Sequence, residues 1–271
     1  MQKSFLELSV TGRDGRERRL RLGPPVDASR AVRLAPPEAP NAFSLPPLSA
    51  EAHEVPGWFV GNVRRGGSCN VEVLRCTAHG LTHVETAAHL LDPSGAPTVA
   101  DLPPERLSGL MWLADLSDLG ERPGALVPLD RVADALARCD LTVAMLGLKT
   151  RASALPPATD FTGTDFLALS PEAAAVVREA GVRTLVTDLP SLDPERDGGR
   201  LRAHRAFFGL PENGSQGADP EARAVVELAW FGGLPAGCYY AVITPARFAV
   251  PAVPTGLFLY PVLPSCSCSC S

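Results

Sequence analysis

Residues 170–187, SPEAAAVVREAGVRTLVT, contain the clearest helix-to-strand signal in the sequence. The segment opens with a serine that can cap free backbone amides, a proline that suits a first helical turn, and a glutamate near the positive end of the helix dipole. The helix is predicted to extend to about Ala180, with Gly181 as its stop. A strand over residues 183–187 is predicted to follow.

Two further strands and a helix are predicted before this unit. Residues 110–116 and 142–148 are short apolar runs bounded by turn residues, a pattern typical of strands buried on both faces. Residues 130–139 between them have the pattern of a short helix. Strands prevail toward both chain ends, where they are predicted at residues 5–10, 19–22, 70–76, 224–229, 239–244 and 257–262. The sequence thus predicts an α/β fold, with one mixed-sheet domain that is strand-rich at both ends and has its helices in the middle. It does not predict a doubly wound fold.

The predicted domain spans residues 1–264. Residues 23–57 contain many prolines and few periodic apolar positions, so a long and mostly irregular excursion is expected there. Residues 265–271, SCSCSCS, form a tail that we expect to be disordered. Its thiols also allow a second interpretation, a soft-metal site formed by Cys266, Cys268 and Cys270. The other four cysteines are expected to be small buried residues: Cys69, Cys76, Cys139 and Cys238.

Composition and charge exclude several classes of protein. The chain has 271 residues and a net charge of −5, and it contains no basic block, which argues against nucleic acid or an anionic membrane as a partner. No window approaches 18 uncharged apolar residues, so no membrane-spanning helix is predicted. The opening MQKSFLELSV lacks the apolar core of a secretory signal, and a cytoplasmic location is therefore expected.

Three of the five histidines lie within eleven residues, and a glutamate lies among them. His79, His83, Glu85 and His89 form the pattern H-x₃-H-x-E-x₃-H. Imidazoles and carboxylates are good ligands for zinc, manganese or iron. On a strand, positions 83 and 85 share one face, and position 79 can join them if the backbone turns at Gly80. The alternatives are a packing histidine or one face of a surface helix, but the density of the cluster favours a metal site.

The segment at residues 79–95, HGLTHVETAAHLLDPSG, resembles the defining motif of the cyclase-like, kynurenine formamidase-type amidohydrolases, H-x-G-T-H-x-D-x-P-x-H. The sequence departs from that motif at Leu81, Glu85 and Ala87, where the family has glycine, aspartate and proline. Further segments resemble the family in the same order: ADLSDL at 114–119, LALSPEAAAVVREAGV at 167–182, VTDLPSLDP at 186–194, His204 with Arg205, and Glu227.

The resemblance implies a cyclase-like fold of the swivelling β/α type and a role for each matching residue. His79, His83 and Glu85 would bind one metal, and His204 and Glu227 would complete a second site, with Glu85 or Glu227 shared between the two. His89 would transfer protons. The implied cofactor is one or two divalent ions per chain, zinc or manganese.

The implied activity is hydrolysis of the C–N bond of a small amide, formamide or lactam by metal-activated water, as in arylformamidases. The implied assembly is a homodimer or higher oligomer. The alternative is a divergent, non-catalytic member of the family that binds a metal or a small ligand.

Several residues near the motifs have two interpretations. Glu212 lies in an insertion between His204 and Glu227 and is either a rival ligand or an exposed loop acid. Trp58 either stacks on an aromatic substrate or, as the favoured interpretation, lies partly buried in the core. Asp188 and Asp193 are expected to order loops near the site.

Overall fold

The computed structural model describes residues 6–34, 37–92, 95–119, 122–214 and 222–263. Its strands are β1 (Leu6–Thr11), β2 (Glu17–Leu22), β3 (Val26–Asp27), β4 (Arg33–Leu34), β5 (Pro37–Glu38), β6 (Ser49–Ala52), β7 (Glu54–Val55), β8 (Phe59–Val60), β9 (Glu72–Arg75), β10 (His83–Glu85), β11 (Ser108–Asp115), β12 (Leu126–Val127), β13 (Met145–Lys149), β14 (Ala168–Leu169), β15 (Thr184–Thr187), β16 (Ala224–Glu227), β17 (Gly237–Pro245) and β18 (Ala252–Leu263). Its α-helices are α1 (Pro104–Leu107), α2 (Leu129–Ala137), α3 (Pro171–Glu179) and α4 (Arg202–Phe208).

Seven strands form a closed, barrel-like sheet. Their order is β18, β10, β16, β15, β13, β11 and β17, and β17 pairs again with β18. Neighbours among β11, β13, β15 and β16 are parallel, whereas every ring pairing that involves β10, β17 or β18 is antiparallel. Strands β2 and β3 pair with β18 outside the ring, and β1 forms the predicted hairpin with β2. The predicted mixed-sheet α/β domain is confirmed.

Successive residues of the central strands face two separate cores. Leu185 and Val225 pack against the helices, whereas the next residue on each strand, Val186 and Val226, packs inside the barrel. The barrel interior is filled closely. A Cβ atom at Gly147 would lie 2.9 Å from a methyl carbon of Leu113, so any larger residue at that position of β13 would force the neighbouring side chains to move.

The central helix-to-strand unit folds as predicted. The Ser170 hydroxyl accepts a hydrogen bond from the Ala173 amide at 3.1 Å, and α3 begins at the next residue, Pro171. Gly181 follows the helix with φ of +84°, a left-handed conformation that glycine adopts without strain. The strands predicted at 110–116, 142–148 and 183–187 are β11, β13 and β15, and the predicted short helix is α2.

Helix α4 is one of several short elements that the sequence analysis missed, and it is the one that carries a candidate ligand. It has only seven residues, fewer than a periodic pattern needs to be recognised. Its N-cap residue, Leu201, makes no capping hydrogen bond with its side chain. Asp193, nine residues before the helix begins, accepts hydrogen bonds from its Ala203 and His204 amides instead. A cap supplied from a distant loop gives no local sequence signal.

Residues 49–75 form an arm of two small antiparallel sheets, β6 with β9 and β7 with β8, outside the barrel. The strand predicted at residues 70–76 is therefore present as β9, but all four of its residues are exposed. The excursion at residues 23–57 contains short strands in addition to irregular segments.

Two predictions about residues in or next to the arm are wrong. Cys69 and Cys76 are exposed, because the arm has no core to bury them, whereas Cys139 is buried and Cys238 is partly buried. Trp58 does not lie in the core, since 82% of it is exposed.

Two segments named in the sequence analysis lie outside the described residues in whole or in part. The Ser/Cys tail, with Cys266, Cys268 and Cys270, lies outside the described residues, as do residues 215–221 of the insertion. Within the described ranges, no helix combines the length and apolar character needed to cross a membrane.

Candidate metal centre

Two paired strands and a 3₁₀ turn bring the first group of predicted ligands together. His83 and Glu85 lie on one face of β10, as the two-residue period predicts, and both are fully buried. Strand β16 pairs with β10 so that Glu227 lies directly opposite His83. His79 lies in the short 3₁₀ turn Ala78–Gly80 just before β10, so the predicted backbone turn at Gly80 is present.

The ligand atoms of these four residues converge on one point. Suitable atoms of His79, His83, Glu85 and Glu227 all lie within 4.8 Å of one another. His79 Nδ1 is 3.0 Å from His83 Nε2, and it is 3.7 Å from Glu85 Oε2. Oε2 of Glu227 lies 3.5 Å from His83 Nε2. The Oε2 atoms of both carboxylates thus face the His79–His83 pair.

The other oxygen of each carboxylate faces His204. Helix α4 directs His204 Nε2 to within 2.7 Å of Glu85 Oε1 and 3.2 Å of Glu227 Oε1. The backbone amide of Leu192 also donates to Glu227 Oε1 at 2.7 Å. Glu85 and Glu227 therefore lie between the His79–His83 pair and His204, and each can offer one oxygen to each side.

His89 lies at the open side of this cluster. It ends the 3₁₀ turn Ala87–His89, and its ring centre is 4.5 Å from that of His79. Its Nε2 is 3.9 Å from Glu85 Oε2, and the side chain is 27% exposed, close to the 28% of His79. His89 is not part of the tightest ligand group.

Opposing electrostatic effects shift the pKa values of the cluster. Burial lowers the pKa of His79 to about 4, and the neighbouring His83 adds to the effect. Burial also opposes charge on His204, but Glu85 and Glu227 outweigh it and raise its pKa well above the usual range. Although burial disfavours the ionised carboxylates, His204 holds the pKa of both below the usual range. The carboxylates are thus ionised and His79 is neutral, the states in which these groups bind a cation.

The residues present fit a divalent metal. Both oxygens of Glu85 and Nε2 of His204 are buried and make no hydrogen bond of acceptable geometry, a costly state for polar atoms. Three imidazoles and two carboxylates form a nitrogen–oxygen donor set that suits zinc, manganese or iron. A cation would bring these unpaired atoms into favourable contacts. His79, His83, Glu85, His204 and Glu227 are the residues that could hold it.

The supporting residues are placed largely as the sequence predicts. Asp188 accepts hydrogen bonds from the amides of Thr150 and Ser153 and so orders the loop after β13. Asp193 orders the loop before α4 and accepts from His204 Nδ1 at 2.6 Å. Glu212 is exposed and pairs with Arg202 at 3.0 Å, which fits a loop acid better than a rival ligand.

One pair of supporting residues was not anticipated. The Thr82 hydroxyl donates to the carbonyl of Leu228 and accepts from the amide of Arg30, while the buried Arg30 guanidinium donates to the carbonyls of Ala152 and Asp188. Arg30 thereby fastens the start of the proline-rich excursion to the loops beside the site. No local pattern around Arg30 distinguishes it from a surface arginine.

Solved structures with a similar fold cover most of this chain. A protein described as a potential metal-dependent hydrolase with cyclase activity aligns with a TM-score of 0.63 and 17% identity, over 89% of this chain and 99% of that one. Isatin hydrolase A from Labrenzia aggregata, bound to benzyl benzoate, aligns with a TM-score of 0.64 and 14% identity, over 89% and 94%. A predicted metal-dependent hydrolase from Bacillus stearothermophilus aligns with a TM-score of 0.60 and 18% identity, over 88% of this chain and 98% of that one. At these identities the likeness establishes the cyclase-like fold.

Sequence comparison identifies the family. No curated protein matches the chain by sequence. The model of the family Cyclase, described as "Putative cyclase", matches residues 25–194, which is more than half of the chain and includes His79, His83, Glu85 and His89. The chain belongs to the cyclase family.

Proposed function

We propose that the protein is a metal-dependent hydrolase that cleaves the C–N bond of a small amide, formamide or lactam. His79, His83, Glu85, His204 and Glu227 would hold one or two divalent ions, zinc or manganese. The observation that carries the proposal is the position of the two carboxylates between the His79–His83 pair and His204, with buried polar atoms left unpaired.

The chemistry needs a cation at the buried end and a proton carrier at the open end. A divalent ion supplies a Lewis acid that polarises a carbonyl and lowers the pKa of water. His89 is the proton carrier, because its Nε2 lies at the rim of the cluster and its side chain is partly exposed. An amide nitrogen leaves poorly unless it is protonated, and His89 Nε2 can hold the proton that this step needs. His89 is carried by a 3₁₀ turn whose other two residues, Ala87 and Ala88, are small and buried.

The substrate class rests on two kinds of support. The family motif around His79–His89 resembles that of kynurenine formamidase-type enzymes, and one protein of similar fold is an isatin hydrolase, whose name gives a cyclic amide as its substrate. Formamides and lactams are both attacked at a carbonyl carbon with a nitrogen leaving group, so one site architecture serves both. Glu85 stands where the family has aspartate, so its carboxylate lies one methylene further from the backbone. Because this length difference separates the chain from the family motif, both formamides and lactams are to be tested.

We also propose that the chain forms a homodimer through the arm. Two-stranded sheets are marginally stable in water unless another surface covers them. The arm exposes five large apolar side chains: Trp58, Val63, Val71, Val73 and Leu74. Its charges balance, with three glutamates and three arginines: Glu51, Glu54, Glu72, Arg64, Arg65 and Arg75. Such a surface is able to meet a copy of itself about a twofold axis with opposite charges facing each other.

The activity is tested with metal-loaded protein and a panel of aryl formamides, cyclic lactams and aryl esters. Hydrolysis of a formamide or lactam is expected, with loss of activity on chelation and recovery when zinc or manganese is restored. The esters serve as a control for unspecific carbonyl hydrolysis. A fully metal-loaded protein that cleaves no formamide or lactam would contradict the proposed activity and favour a non-catalytic metal-binding protein.

A further inference from the structure

Asp193 makes three hydrogen bonds at the start of α4, and its side chain is almost fully buried. Its Oδ1 accepts from the amide of Ala203 at 2.6 Å. Its Oδ2 accepts from the amide of His204 at 3.1 Å and from Nδ1 of the His204 ring at 2.6 Å. One carboxylate therefore holds both the backbone and the ring of a single histidine.

These contacts determine which ring nitrogen of His204 is available. A carboxylate only accepts hydrogen bonds, so the hydrogen between the ring and Asp193 belongs to Nδ1. Once the ring gives up its second proton, as binding of a cation requires, the lone pair lies on Nε2, which points at Glu85 and Glu227. That nitrogen is buried and makes no hydrogen bond of its own.

We propose that Asp193 is a positioning residue that fixes the tautomer and direction of His204 so that Nε2 binds a divalent cation. This inference rests on the proposed metal-dependent function. A negatively charged acceptor on Nδ1 also makes the opposite nitrogen a stronger donor to a cation. His83 is oriented in the same way by a neutral acceptor, the Leu81 carbonyl 2.9 Å from its Nδ1. The two buried histidines thus present Nε2 to opposite sides of the same pair of carboxylates.

A purely structural role for Asp193 is the rival interpretation, because the two amide bonds alone would secure the start of α4. Asp188 provides a matched control. Like Asp193, it is a buried carboxylate, and it directly follows β15. It likewise accepts hydrogen bonds from two backbone amides, those of Thr150 and Ser153, and from one side-chain donor, the Thr150 hydroxyl. None of the donors to Asp188 belongs to a residue of the metal cluster.

The test compares Asp193→Asn and Asp188→Asn for Zn²⁺ affinity, measured by competition with a chromophoric chelator on metal-free full-length protein. Loss of the charged acceptor is expected to weaken Zn²⁺ binding by about 10–100-fold in Asp193→Asn, the range typical of residues that orient a metal-binding histidine. Asp188→Asn is expected to bind Zn²⁺ within about threefold of wild type, although its thermal unfolding midpoint without metal falls. Equal weakening in the two variants would overturn the proposal, since it would mean that loosened loops explain the loss.

A second measurement uses wild-type protein, so it does not depend on the variants folding. In the Zn²⁺-loaded chain, nitrogen-15 NMR is expected to show His204 with a protonated, slowly exchanging Nδ1 and a metal-bound Nε2. A proton on Nε2 of His204 in the loaded protein would overturn the proposal. Wild type that binds no Zn²⁺ would overturn the proposed function as well, whereas wild type and Asp193→Asn of equal affinity would overturn this inference alone.

Discussion

The buried and open sides of the candidate metal centre are built in different ways. On the buried side, His83, Glu85 and Glu227 lie on paired strands, and His204 lies on a helix held by Asp193. On the open side, His79 and His89 lie on 3₁₀ turns, with more than a quarter of each side chain exposed. Rigid, desolvated groups suit the binding of a cation, whereas exposed groups on turns can reach a substrate. We therefore propose that the buried side supplies most of the metal ligands and that His89, on the open side, transfers protons.

The largest effect is expected from Glu227→Gln on the buried side. The amide keeps the shape of the side chain but removes the charge that lies between two histidines. Metal affinity should therefore fall by more than about 100-fold, which exceeds the loss typical of residues that only support a ligand. Metal content and hydrolysis rate should fall together. Glu212→Gln is the control, because Glu212 is exposed and should leave both unchanged. The reverse result would mean that the insertion supplies the ligand.

His89→Ala tests the open side and is expected to separate binding from turnover. The variant should retain its metal and its fold but lose about 10²–10⁴-fold in rate, as is typical when a general acid–base is removed. Metal content and rate are measured in the same preparation. Parallel loss of metal and activity would show that His89 is a ligand, and the division between the two sides would be wrong.

A smaller effect is expected from His79→Ala, because His79 combines features of the buried side and of the open side. His79 belongs to the tight ligand group but lies on the exposed turn with His89. We expect the variant to bind metal about tenfold or more weakly, with a smaller loss than His83→Ala, because His83 is fully buried and also contacts Glu227. Chelator competition on both variants measures the difference. A larger loss of affinity in His79→Ala than in His83→Ala would contradict the expectation that the buried side contributes more to metal binding.

The smallest effect on the site is expected from Leu74→Glu in the arm. Leu74 is 59% exposed and lies outside the barrel, so the substitution should change the unfolding free energy of the monomer by no more than about 0.5 kcal/mol. It should nevertheless shift the protein from dimer to monomer in light scattering, while Leu6→Glu, at a similarly exposed position outside the arm, should not. A dimer that survives Leu74→Glu would show that the arm is not the interface.

The sequence predicts the local parts of the centre better than the long-range ones. The two-residue period of a strand places His83 and Glu85 on one face, and Ser170 and Gly181 mark both ends of α3. The register that sets Glu227 opposite His83 depends on strands 144 residues apart in sequence, and only the family resemblance indicated that contact. Short elements are also difficult to predict from the sequence. Helix α4 has its cap in a distant loop, so its start could not be recognised.

The arm shows why burial is harder to predict than strand structure. Residues 72–75, EVLR, contain apolar and polar residues in proportions usual for a half-buried strand, yet all four are exposed in β9. Cys69, Cys76 and Trp58 were predicted to be buried or partly buried from their residue types, and they are exposed as well. An alternating pattern indicates a strand, but it carries no information on whether a core or a second chain covers its apolar side.

Metal analysis of purified protein tests the central claim most directly. The measurement counts divalent transition metals per chain in wild type and in the double variant His79→Ala/His83→Ala, with circular dichroism to confirm that both are folded. The account predicts one or two ions per wild-type chain and loss of most of the metal in the double variant, because that variant lacks two of the four atoms that converge within 4.8 Å. Full metal retention in the folded double variant would contradict the assignment of the site.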